Sequence, residues 1–160
     1  MSRSGKTPKR TIENDPVYNS HQLTKLVNKL MRNGKKQVAY NLVYRALEMV
    51  KTNLKVDDPL ETFRQALENI KPNVEVRSRR VGGAAYQVPV PVKGDRKESL
   101  AIRWLIAAAR ARSSKDFHTF ADKLSTEIME ASQGKGGAVK RKQDTHRMAE
   151  GNRAFAHFRW

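Results

Sequence analysis

The chain has no cysteine, which excludes a disulfide scaffold, a thiol nucleophile and any zinc finger built on thiolates, and fits a reducing compartment. Its histidines, His21, His118, His146 and His157, are scattered without a helical pair, so neither a metal site nor a cofactor is expected. The longest uninterrupted apolar run, Trp104 to Ala109, is far short of the roughly 20 residues a bilayer span demands. No membrane partner is expected. Basic residues near the N-terminus have no apolar stretch behind them, so no secretory signal is expected either. The composition points to one soluble domain, cytoplasmic or of a plastid.

Acids are scarce as well: 16 Asp plus Glu face 32 Lys plus Arg, leaving a net charge of +16 and a pI near 10.4 on 160 residues. Self-repulsion on that scale calls for a polyanion, and nucleic acid is the partner class it predicts. The cations are also unevenly placed. Residues 1 to 10 carry Arg3, Lys6, Lys9 and Arg10 with no acid, whereas residues 116 to 130 set Asp116, Asp122, Glu127 and Glu130 against Lys123 alone. Residues 1 to 12 have no apolar periodicity and read as a basic arm that orders on its partner.

Catalysis finds no foothold. Gly34-Lys35-Lys36 lacks the upstream Gly and the Ser or Thr of a phosphate loop, Gly134 to Gly137 has no preceding strand, and no histidine has an acid at fixed spacing. No enzyme activity and no small-molecule substrate are expected.

Helical periodicity organises most of the chain. Ser20 is placed to cap a first helix with Leu23, Leu26, Val27, Leu30 and Met31 on its apolar stripe, stopped by Asn33-Gly34. Lys25, Lys29 and Arg32 line its other side, with Lys35 and Lys36 following; the ridge suits phosphates, and a merely solvated lysine face is the alternative. A second helix runs from Lys36 to about Leu54. Asp58-Pro59-Leu60-Glu61 is a capping-box pattern opening a third, whose core face is Leu60, Phe63, Leu67 and Ile70. A fourth, from about Arg96 to Arg112, reads as buried nearly all round by Leu100, Ala101, Trp104, Leu105, Ile106, Ala107 and Ala108, apart from one seam of Arg96, Arg103 and Arg110. Guanidinium groups seven apart suit phosphate oxygens, and acids of neighbouring helices are their other possible partners. Ser114 is expected to start a fifth helix with Phe117, Phe120, Ala121, Leu124 and Ile128 as core.

Between the third and fourth helices, residues 73 to 92 predict a β-hairpin. Val74 and Val76 alternate with Glu75 and Arg77, and Tyr86, Val88, Val90 and Val92 alternate with Gln87, Pro89 and Pro91, so each arm has one apolar face. Gly82-Gly83 supplies the reversal, and the two prolines are expected to aim their missing donors away from the partner strand. Arg77, Arg79 and Arg80 lie toward the tip. From residue 133 to 160 a nearly all-polar helix and a basic tail follow, with Lys140, Arg141, Lys142, Arg147, Arg153 and Arg159 among Phe155, His157, Phe158 and Trp160. Such rings and cations together suit base stacking in an RNA, and a flexible solvated tail is the alternative.

Two stretches, NSHQLTKLVNKLMRNGKKQVAYNLVYRA from Asn19 to Ala46 and RSRRVGGAAYQVPVPV from Arg77 to Val92, resemble the signatures of the small-subunit ribosomal protein S-seven family. The likeness continues through RWLIAAAR, Arg103 to Arg110, and THRMAEGNRAFAHFRW, Thr145 to Trp160. The resemblance implies a mainly α, single-domain bundle of about six helices with a protruding hairpin. It also implies binding to the three-prime major domain of small-subunit ribosomal RNA and nucleation of the subunit head. Further implied partners are the exit-site tRNA, the mRNA path and the ribosomal proteins S-nine and S-eleven. Carried to this chain, the ribosomal RNA role falls on Arg3, Lys9 and Arg10, on Lys25, Lys29, Arg32, Lys35 and Lys36, and on Arg96, Arg103, Arg110, Arg112 and Lys115. The tRNA and mRNA role falls on Arg77, Arg79, Arg80, Gly82, Gly83 and Tyr86 and on Lys142, Arg147 and Arg153. A DNA-binding architectural protein is the competing reading, since a basic hairpin and arm also suit a minor groove.

Overall fold

The structure, a computed structural model, describes Gly5 and residues 11–159. These form α1 (His21–Leu30), α2 (Lys36–Leu54), α3 (Pro59–Ile70), β1 (Val74–Val81), β2 (Ala84–Pro91), α4 (Asp95–Ala111), α5 (Phe120–Ser132), α6 (Gly137–Gly151) and a 3₁₀ helix (Arg153–Phe158). The order is the expected one: a helical bundle with an antiparallel hairpin between α3 and α4. None of the helices is long and apolar enough to cross a membrane.

α5 is the hub, packing on α2, α3 and α4. Phe63, Leu67, Leu105, Leu124 and Ile128 meet there in one continuous core with Leu23, Leu26 and Leu47. Local caps set the boundaries. Asp58 accepts the Leu60 N–H at 2.8 Å to open α3, with Pro59 at the first helical turn. Thr119 and Asp122 form a reciprocal capping box that starts α5 at Phe120. The expected start at Ser114 is therefore six residues too early. Phe117 falls in the preceding loop, half-buried, with the Arg112 guanidinium over its ring at 5.6 Å.

α4 also departs from expectation. Ala107 is exposed and Trp104 only half-buried, while Ile102 and Ala109 are buried. It is an amphipathic helix with its arginine side open, not a helix buried all round.

The hairpin turns at Gly82-Gly83, both at positive φ, as a two-residue primed turn requires. Val81 pairs with Ala84, and the register runs out to Val74 opposite Pro91. Residues flanking a two-residue turn exchange hydrogen bonds, so Pro89 and Pro91 occupy the positions whose N–H would point outward. The same register decides how the two apolar faces combine. Val88 lies opposite Arg77 and Val90 opposite Glu75, so the packed face holds Glu75, Val88 and Tyr86, whereas Val74 and Val76 share the other face with the prolines. The two apolar faces do not coincide, because opposed residues in an antiparallel pair point to the same side.

Candidate nucleic-acid interface

Which cations a partner can reach depends on which are already held by acids. Lys25 donates to Glu98 of α4 at 2.6 Å. Arg96 donates Nε and Nη2 to both oxygens of Glu75 at 2.8 to 3.0 Å, and Arg77 donates to the same carboxylate at 2.5 Å. Burial pushes the Glu75 carboxyl up, but hydrogen bonds from Arg96 and Arg77 outweigh it and leave its pKa below the ordinary value. Arg112 donates to Glu127 and Glu130 of α5. Glu127, only 1% exposed, spends its other oxygen on the Ala138 N–H at 2.8 Å, and so ties α4, α5 and the first turn of α6 together. The glycine-rich run before α6 thus wraps carboxylates: Gly136, at φ +91°, has a backbone conformation that strains any side chain, and a Cβ there would press on the Glu127 carboxylate at 3.0 Å.

Among the described residues no ion pair engages Lys29, Arg32, Lys35, Arg103, Arg110 or Lys115, and all six are exposed. The arginine seam is accordingly split. Arg96 serves the root of the hairpin, while Arg103 stands in the open and Arg110 reaches only the Leu30 carbonyl, at 3.4 Å. Lys36 lies 5.6 Å over the Tyr40 ring. Arg3, Lys9, Arg10 and Trp160 lie outside the described residues.

The hairpin and the C-terminal segment form one unit. Tyr86 packs against Phe155 and Phe158 of the 3₁₀ helix, each with centroids 5.2 Å away and the ring planes tilted by 51° and 39°. Asn73 is the joint at the root. Its N–H donates to His146 Nε2 at 3.1 Å, its carbonyl accepts the Val92 N–H at 2.9 Å, and its side-chain oxygen accepts from Lys97 at 2.9 Å. Burial lowers the His146 pKa, aided by Lys142 and opposed by Glu150. Lys142 donates to the Asn69 carbonyl at 2.8 Å, and Arg147 pairs with Asp144 at 2.9 Å. Arg153 is exposed. At the tip Arg80 reaches the Gly83 carbonyl at 3.5 Å; Gly82 and Gly83 are fully open.

Sequence reasoning missed Asn73, Glu75 and Asp15. Asp15 is buried, accepts the Val17 and Tyr18 N–H groups at 3.2 and 2.9 Å and the Tyr44 hydroxyl at 2.8 Å, and so moors residues 15–20 on α2. An Asp followed by Pro16 was the available turn signal. The partners of Asn73 lie 19 to 73 residues away, and Arg96, the bidentate partner of Glu75, lies 21 away, beyond any local pattern.

The chain matches the family described as Ribosomal protein S7p/S5e over residues 2–153. It is similar to the small ribosomal subunit protein uS7 of Xanthobacter autotrophicus, 55% identical over 160 residues and the whole of both chains. The uS7 proteins of Mycolicibacterium vanbaalenii and Mycobacterium sp. strain KMS are 53% and 54% identical, again over the full length of each. A helical body with a hairpin between α3 and α4, and a likeness of this extent, lead to one conclusion: the chain belongs to the ribosomal protein S7p/S5e family and is a structural, RNA-binding protein of the small ribosomal subunit, not an enzyme.

Proposed function

We propose that this chain binds the three-prime major domain of small-subunit ribosomal RNA and nucleates assembly of the subunit head in a bacterial-type ribosome. The observation that carries this reading is the segregation of charge. Lys29, Arg32, Lys35, Arg103, Arg110 and Lys115 have no acid partner among the described residues, while Lys25, Arg96 and Arg112 are taken up by Glu98, Glu75, Glu127 and Glu130. Neutralising phosphates is what such a surface does best, and fixing an RNA junction lets later proteins bind. The basic arm with Arg3, Lys9 and Arg10 adds to the same footprint.

The hairpin and tail take the second role, beside the exit-site tRNA and the mRNA path, through Arg79, Arg80 and Arg153 with the Tyr86 ring cluster as support. Arg77 and Arg96 act from behind by holding Glu75. Contacts with the ribosomal proteins S-nine and S-eleven complete the set of partners.

A salt-titrated competition between a three-prime major domain fragment, an unrelated structured RNA and duplex DNA tests the reading. Tight binding to the fragment that survives both competitors is expected. With about six phosphates neutralised, affinity falls roughly a thousandfold between 50 and 200 mM salt. Equal binding to all three, collapsing together as salt rises, would overturn specific RNA recognition and leave a general nucleic-acid glue.

A further inference from the structure

A groove of about 330 Å³ opens between the C-terminal end of α1, the start of α2, and the facing parts of α4 and α5. Met31, Val38, Leu42 and Phe120 make its apolar floor, and Arg32, Lys35 and Arg110 stand on its rim with no acid among the lining residues. Val38 is 54% exposed although it sits on a well-packed helix. We propose that this groove holds a single unstacked nucleotide of the ribosomal RNA, its base on the apolar floor and its phosphate on Arg32 and Arg110. The proposal rests on the RNA-binding reading above and adds a base-contacting site to it.

Three observations support that occupant. First, α4 places Arg96 on Glu75, and Arg112 just past its end lies on Glu127 and Glu130, yet Arg110 has only a long bond to the Leu30 carbonyl. Partial burial, and then the neighbouring Arg32 charge, lower the Arg110 pKa, and an anion set between the two guanidinium groups would offset both. Second, the floor is apolar and the volume is at the small end of ligand pockets, roughly 300 to 1,000 Å³. A stacked duplex offers its phosphates but keeps its bases from such a floor, whereas an unstacked base brings both a flat apolar face and an adjoining phosphate. Third, exposed Lys29 near the end of α1 and exposed Lys36 at the start of α2 add two cations close by in the chain, where they line other clefts. That density of cations suits a polyanion better than the lone carboxylate of an acidic peptide.

The test uses the full chain with a complete small-subunit ribosomal RNA transcript, read by binding titration at several salt concentrations and by chemical probing of each base. Val38→Trp fills the groove from an exposed position and leaves every cation in place. It is expected to weaken binding about tenfold with an unchanged salt slope, and to restore reactivity at one base, or at very few, that the wild-type chain protects. Val38→Ser, which adds no bulk, is expected to act in the same direction by a smaller factor. Arg110→Gln is expected to lower the salt slope by about one. Val17→Trp, at another exposed position, controls for bulk and is expected to change nothing. If the wild-type chain binds the transcript selectively and both Val38 variants match it in affinity and base protection, the nucleotide site is overturned and a protein segment becomes the occupant of the groove. If the wild-type chain shows no selectivity for ribosomal RNA, the broader reading falls and this proposal falls with it.

Discussion

Around α5 the side chains of Phe63, Leu67, Leu124 and Ile128 are at most 1% exposed, whereas among the apolar side chains of the hairpin segment only Val88 and Val92 are buried. The body is held by apolar area, at roughly 25 cal/mol per Å² removed from water. The hairpin and tail are held by a few directional contacts: Glu75 on two arginines, Asn73 on His146, Glu127 on the start of α6, and Tyr86 between two phenylalanines. Apolar area gives a stability that is insensitive to pH and to any single polar substitution. Directional pins give an arm that can be oriented closely yet loosened locally.

The sharpest break of this comparison is Phe63→Ala. Removing a fully buried ring from the body is expected to cost about 3–5 kcal/mol of global stability, measured by denaturant unfolding; a loss under ~1 kcal/mol would mean that the body is not held by its core. Glu127→Ala comes next. It strips Arg112 of one of two carboxylates and leaves the Ala138 N–H without its acceptor, with an expected cost of about 2–3 kcal/mol. Because the residue joins α4, α5 and α6, hydrogen exchange should quicken in the first turn of α6 before it does in α2.

Tyr86→Ala removes two ring pairs worth about 0.5–1.5 kcal/mol each. Exchange in residues 153–158 is expected to rise while the melting temperature of the body barely moves, and a shift of the whole protein would contradict the separation of body and arm. Smallest is the response to acid. Glu75 has a depressed pKa in the fold, so its contribution is complete above the ordinary value of 4.5 and is lost as pH falls below it toward the folded value. His146 is also depressed, so its contribution is complete above about the ordinary 6.5 and declines as pH falls below that. Mild acid is therefore expected to loosen the root of the hairpin through His146 first, visible as faster exchange at Asn73, with Glu75 following at lower pH. His146→Gln should abolish the first of these two steps.

Much of the architecture was written in local pattern. α2 runs from Lys36 to Leu54 as its periodicity predicts, and the Gly82-Gly83 turn falls where two glycines separate two alternating strands. The start of α5 was misplaced. Ser114 looked like a helix start because it precedes Phe117, but the reciprocal bonds of Thr119 and Asp122 won the competition for the first turn. The apolar face of each strand was legible from its alternation, but how the two faces combine follows from the turn, which pairs odd-numbered with even-numbered positions. That register was within reach of the sequence. The environment of Arg110 was not.

By itself the sequence determined the partner class, through a charge of +16 that only a polyanion relieves, and the succession of helices and hairpin, through spacings of 3.6 and 2 residues. The division of the cations into those that hold the protein together and those left for a partner was decided by tertiary structure. Lys25 and Glu98 are 73 positions apart and Arg96 and Glu75 are 21 apart. Electrostatic pairing acts over a few ångströms in space, so a charge count along the chain is blind to it until the fold has brought the partners together.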